Sequence, residues 1–192
     1  MKPENNSTQR CPWCGKDPLY QQYHDLEWGK PVKDDQKLFE FLVLESAQAG
    51  LSWITILRKR ENYRRCFSNF DPKKVASYTE TDIQRLLKDS GIIRNRAKIT
   101  SAIKNAQVFL KIQEEYGSFY NYLYQFLPQK RPITNHFRSY QEAPAKTDLS
   151  VKISMDLKKR GIRFFGPITC YAFMQAVGMV NDHELSCSFR NA

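Results

Sequence analysis

Apolar residues recur at three- and four-residue steps along most of this chain, and sustained alternation is absent. Ile99, Ala102, Ile103, Ala106 and Leu110 keep the helical step and give out near Gly117. Thr79, with Asp82 three residues on, predicts a helix N-terminus ahead of Ile83, Leu86 and Leu87, and Ser90-Gly91 interrupts that helix. Gly161 and Gly178 read as helix stops, and Gly166-Pro167 as the start of a helix through Tyr171 and Met174. The expected fold class is all-α. Residues 128–148 carry three prolines among polar residues and read as a long irregular connection.

One stretch breaks the pattern. In Phe41-Leu42-Val43-Leu44-Glu45, the glutamate falls four residues after Phe41 and three after Leu42, so a helix places its carboxylate beside their apolar face. A Gly50-Leu51-Ser52-Trp53 break follows. Trp13, Tyr20, Tyr23 and Trp28 lie upstream. Flat rings around one buried carboxylate could stack on a planar base while the acid accepts hydrogen bonds from its amine edge. The alternative is that Glu45 pairs with one of the many arginines and the rings are core.

Composition narrows the class. The chain has 192 residues, 41% of them hydrophobic, which is enough for a buried core and excludes a disordered chain. We expect a polar, frayed tail over residues 1–9 and a single helical domain over residues 10–192. No apolar run reaches the roughly 20 residues of a membrane span, and the polar start lacks a secretory apolar segment, so a soluble cytoplasmic protein is expected.

The formal charge of +10 is clustered in Arg58-Lys59-Arg60, Arg64-Arg65, Arg94-Asn95-Arg96-Ala97-Lys98 and Lys158-Lys159-Arg160. Such patches suit a polyanion, either nucleic acid or an anionic membrane surface. The segment from Leu87 to Lys98 joins two predicted helices through a Gly-containing turn. A following helix N-terminus can aim backbone N–H groups at a phosphate, or the unit can be an ordinary corner with a solvated basic face.

Five cysteines without a secretory signal argue against a disulfide framework. Cys66 and Cys170 sit among apolar residues and read as small core side chains. Cys11, Cys14 and His24 near one end, with His183 and Cys187 near the other, offer five candidates for the four places of a zinc site. His183 and Cys187, four apart, would share a face on one helical turn. A site drawing on both termini would tie the chain ends together.

Several ordered motifs then combine. Cys11-Pro12-Trp13 is followed by Asp17-Pro18-Leu19-Tyr20, by Tyr23-His24-Asp25 and by Glu27-Trp28-Gly29. Leu44-Glu45, Gln48-Ala49-Gly50-Leu51-Ser52-Trp53-Ile54-Thr55 and Lys59-Arg60-Glu61-Asn62-Tyr63-Arg64 come next. Gly91-Ile92-Ile93-Arg94, Lys158-Lys159-Arg160-Gly161, Met174-Gln175-Ala176 and Val180-Asn181-Asp182-His183 complete the set. From Arg10 to about Cys187 the chain resembles the 3-methyladenine DNA glycosylase I family.

That resemblance implies a compact helical fold of the helix-hairpin-helix glycosylase superfamily. It also implies a monofunctional hydrolase that removes N3-methyladenine from double-stranded DNA, releases the free base and leaves an abasic site. It implies a structural zinc on Cys11, His24, His183 and Cys187, with Cys14 left over as a departure, and no organic cofactor. Glu45 would be the base-recognition carboxylate, and Trp13, Tyr20, Tyr23 and Trp53 the pocket aromatics. Gly91, Ile93, Arg94, Arg96 and Lys98 would form a phosphate clamp. Leu51, after Gly50, would fill the gap left by the flipped base. No Asp lies between Gly91 and Asp148, in keeping with a family that acts on an already cationic base. The protein is expected to act as a monomer, away from membranes.

Overall fold

A computed structural model describes residues 8–191. Most of the expected polar tail lies outside the described residues, but Gln9 is pinned to the far end of the chain. Its N–H donates to Ser188 Oγ at 3.0 Å, and its carbonyl accepts from the Ser188 N–H at 2.9 Å.

The fold is mostly helical, as the periodicity predicts. In chain order the helices are α1 (Pro18–Leu26), α2 (Asp35–Gln48), α3 (Trp53–Cys66), α4 (Pro72–Ala76), α5 (Glu80–Lys88), α6 (Arg96–Tyr116), α7 (Phe119–Tyr124), α8 (Asp148–Arg160) and α9 (Pro167–Ala176). Side chains start most of them. Asp17, Asp34, Asn95 and Thr147 each accept a hydrogen bond from the first turn of α1, α2, α6 and α8. Thr79 and Asp82 close a capping box on α5, as their spacing predicts. Gly117 and Gly161 end α6 and α8 in the left-handed conformation.

Helix α2 is the axis of the molecule and packs on α3, α6, α7 and α9. It is buried without interruption from Leu38 to Ala47. Over that stretch the helix has no solvent-facing stripe, and Glu45 is buried among packed elements rather than set against one apolar stripe. A single connected cluster of buried apolar residues runs from Cys11 to Cys187.

The irregular connection contains what periodicity could not show. Two-residue strands β1 (Ile133–Thr134) and β2 (Val180–Asn181) pair in parallel, with Ile133 opposite Val180. This pairing, with the Leu185 N–H donating to the Phe137 carbonyl at 2.8 Å, straps the connection to the C-terminal segment. Among the described residues, no helix is long and apolar enough to cross a membrane.

Candidate functional site

At the C-terminal half of α2, a cavity of about 330 Å³ opens to the surface. Every base-binding residue expected from the sequence lines it: Trp13, Tyr20, Tyr23, Glu45 and Trp53. The rings are held edge to face. Trp13 meets Tyr20 with centroids 5.1 Å apart, and Tyr23 tilts against Trp53 at 5.5 Å. Short elements place them: a 3-10 turn at Pro12–Cys14 carries Trp13, α1 carries both tyrosines, and Trp53 opens α3.

The cavity holds an uncompensated set of polar atoms. Glu45 Oε2, Trp13 Nε1 and Trp53 Nε1 are buried without a hydrogen-bond partner. Folded proteins leave few such atoms, and three around one cavity mark a place for a polar ligand. Burial alone pushes the Glu45 carboxyl up to about 8. Arginine does not pair with it. Buried Arg60 donates to both Glu27 oxygens at 2.8 Å and to Glu40, and Arg64 donates to Glu40 at 2.8 Å. Burial also raises the neighbouring phenols, Tyr20 to about 12, so they stay neutral across the physiological range.

Five lining residues were not read from the sequence as site residues, among them Ser52, just ahead of α3. Tyr140 arrives on the strapped connection, its N–H donating to the Glu184 carboxylate at 2.7 Å, and Ala172 and Gln175 come from α9. Gln48 belongs to the last turn of α2. Gln175 carried a usable signal, being a polar residue inside the apolar run of α9, the same anomaly that flags Glu45. Nothing local marks Tyr140, which only tertiary pairing brings to the cavity.

Leu51 does not line the cavity; it is 38% exposed and precedes Ser52, which does, after Gly50 at φ +80°, a left-handed turn that suits glycine. The phosphate-clamp expectation is altered in detail. The Gly91 N–H is taken by Asp89 Oδ1 at 2.7 Å, and the Ile93 N–H by the Tyr63 hydroxyl at 3.1 Å. A Cβ at Gly91 would fall 1.5 Å from Asn62 Nδ2, so this turn is pressed onto α3. Arg96 is paired with Glu80, and Lys98 donates to the carbonyls of Ala47 and Ala49 instead of facing outward. Arg94 is exposed and makes no ion pair among the described residues.

A second corner, from Gly161 to Gly166 between α8 and α9, presents Lys158, Arg163 and Phe164 around a surface cavity of about 560 Å³. Its basic run is partly consumed, since Arg160 is bound to Glu115 and Asp156.

Cys11, His24, His183 and Cys187 converge at the opposite side of Trp13 and Trp28, all four buried, with their ligand atoms within 4.8 Å of one another. Cys14 is excluded; its thiol donates to the Cys11 carbonyl. The helical turn expected for His183–Cys187 does not form. The segment is a chain of turns: the Cys187 N–H donates to the Glu184 carbonyl, and the Leu185 N–H is taken by Phe137 instead of an i−4 carbonyl. Sulfur-to-nitrogen distances are 3.6 Å for Cys11 to His183 and 3.5 Å for Cys187 to each histidine. Tetrahedral zinc, with Zn–S of about 2.3 Å and Zn–N of about 2.0 Å, needs about 3.5 Å between such neighbours. The donor set fits. Both rings are oriented from behind: His24 Nδ1–H donates to Asp25 at 2.7 Å, itself held by Arg10, and His183 Nε2–H donates to the Trp28 carbonyl at 3.2 Å.

The family described as methyladenine glycosylase matches residues 13–191. DNA-3-methyladenine glycosylase of Haemophilus influenzae (strain ATCC 51907 / DSM 11121 / KW20 / Rd) is 49% identical over 94% of this chain and 97% of its own. DNA-3-methyladenine glycosylase 1 of Escherichia coli (strain K12) is 49% identical over 93% and 95%. A solved structure of a tyrosine-to-phenylalanine variant of 3-methyladenine DNA glycosylase I, in complex with 3-methyladenine, superposes with a TM-score of 0.92. It is 37% identical, covering 95% of this chain and 98% of the other.

Proposed function

Because this chain belongs to the methyladenine glycosylase family, we propose a mechanism in which its cavity holds the flipped base while the glycosidic bond breaks. The activity is hydrolysis of the N-glycosidic bond of N3-methyladenine in DNA, which releases the free base and leaves an abasic site. Methylation at N3 makes the base cationic in the DNA, so it leaves with the bonding electron pair as a neutral molecule. The sugar becomes an oxocarbenium ion that water attacks at C1′, losing a proton. The protein needs to extract the nucleotide and stabilise charge more than to supply an acid.

Glu45 carries the recognition. Its buried, partnerless oxygen is the observation on which this reading rests. Burial favours the neutral acid; a cationic base beside it reverses that preference, so the carboxylate forms as the base enters. Trp13, Tyr20, Tyr23 and Trp53 stack around the ring, and the two indole N–H groups are free to donate to it. Leu51, exposed and next to the cavity-lining Ser52, fills the gap left in the duplex. Arg94 on the α5–α6 turn and Lys158 and Arg163 on the α8–α9 corner hold phosphates on either side.

A structural zinc on Cys11, His24, His183 and Cys187 joins the N- and C-terminal segments, and residues from Arg10 onward form one domain. The S–N separations near 3.5 Å support the first assignment and the continuous core supports the second.

The test is Glu45→Gln assayed on N-methylated DNA by chromatography of released bases. Folded Glu45→Gln protein should lose most 3-methyladenine release. Release at the wild-type rate would remove Glu45 from the mechanism.

A further inference from the structure

Gln175 faces the cavity from α9 and is only 7% exposed. Its amide is oriented from behind. Gln175 Nε2 donates to Asp182 Oδ2 at 2.8 Å; the same oxygen accepts from the Tyr171 hydroxyl at 2.6 Å, and Oδ1 accepts from Asn135 Nδ2 at 2.7 Å. Asp182 is 1% exposed and held by donors from two separate parts of the chain, α9 and the strapped connection. Both Asp182 oxygens accept, from Tyr171, Gln175 and Asn135, so the amide turns its NH2 toward Asp182 and its carbonyl oxygen away. Among the described residues no donor reaches Gln175 Oε1, and it is not among the fully buried orphan atoms, so its open side is the cavity.

We propose that Asp182, acting through Gln175, makes this wall of the cavity an obligate hydrogen-bond acceptor that selects bases by the group at position 6. An exocyclic amine, as in adenine-type bases, donates to Gln175 Oε1. A carbonyl, as in hypoxanthine- and guanine-type bases, meets oxygen against oxygen and leaves Gln175 Oε1 without a donor. Asp182 is a positioning residue and never touches the base. This rests on the glycosylase reading of the cavity, and extends it from which bond is broken to which bases are admitted.

The experiment measures binding of free 3-methyladenine and 3-methylhypoxanthine, which differ at position 6, by quenching of tryptophan fluorescence. Wild-type protein should prefer the amine by roughly 10- to 100-fold, the range for one mismatched buried polar contact. Asp182→Asn gives residue 182 a donor, so the Gln175 amide can reverse and present NH2; the preference should collapse or invert. Gln175→Met removes the acceptor while leaving Asp182 in place, and should reduce the preference without inverting it. Should Asp182→Asn not fold, Gln175→Met alone decides, by losing the preference or keeping it. Equal wild-type binding of the two bases, a wild-type ratio in Gln175→Met, or a parallel loss of both bases would overturn the proposal. Release of 3-methyladenine from methylated DNA by wild-type protein, measured alongside, tests the glycosylase reading separately.

Discussion

Lys98, in the first turn of α6, donates a 2.7 Å hydrogen bond to the carbonyl of Ala49, which closes the end of α2, and a second of 2.8 Å to Ala47. A cation thus sits on the negative end of the helix that carries Glu45, next to the Gly50-Leu51 break. The turn expected to meet phosphates and the helix end beneath the cavity share one side chain. Lys98→Met should lower stability by about 1–2 kcal/mol through lost carbonyl hydrogen bonds and helix-dipole pairing. Single-turnover excision should fall as well, since Ser52 and Trp53 follow that break. Urea unfolding and rapid-quench kinetics check the two effects, and an unchanged rate would mean that Lys98 serves stability alone.

Glu45 also sets a pH dependence. The cationic base pairs with the carboxylate, whereas the free protein holds the acid up to about pH 8. Below that point the ionised fraction falls about tenfold per pH unit, so kcat/KM should climb with pH and level off above about 8. The phenols around it, raised by burial, do not ionise in that window. A flat profile from pH 6 to 9 would contradict an isolated Glu45.

The same group opposes folding at high pH. Its folded-state value, about 8, exceeds the ordinary 4.5, so the native state binds the extra proton. No penalty exists below about pH 4.5, where both states are protonated. As pH rises, the unfolded chain ionises first and the native state loses ground until about pH 8, beyond which the penalty is constant. Its ceiling is on the order of 5 kcal/mol. Glu45→Gln lacks this term, so its stability advantage over wild type should widen from pH 5 to 8 in parallel denaturant titrations.

Zinc analysis of purified protein should give one equivalent. Cys187→Ser should lose it and lower Tm, while Cys14→Ser, whose thiol only bonds to a backbone carbonyl, should retain it. Retention of a full equivalent by Cys187→Ser would refute the assigned ligands.

Much of this molecule is local physics and was open to the sequence by itself. The Thr79–Asp82 box, the stops at Gly117 and Gly161 and the Gly166-Pro167 start depend on neighbours a few residues away, so chain spacing sufficed to locate them. The misplaced carboxylate of Glu45 was visible for the same reason, and the motif resemblance gave it a role. Tertiary structure alone decided the rest. It buried α2 from Leu38 to Ala47, left Glu45 without an arginine, and turned His183–Cys187 into a non-helical segment that still gathers four ligand atoms. It also brought Tyr140 to the cavity, consumed Arg96 and Lys98 in internal contacts, joined Arg160 to Glu115, and fixed the Gln175 amide from Asp182. Each of these is a hydrogen bond or packing contact between residues distant in the chain or across a turn. No spacing rule encodes such contacts, because their cost and gain exist only once the elements have met.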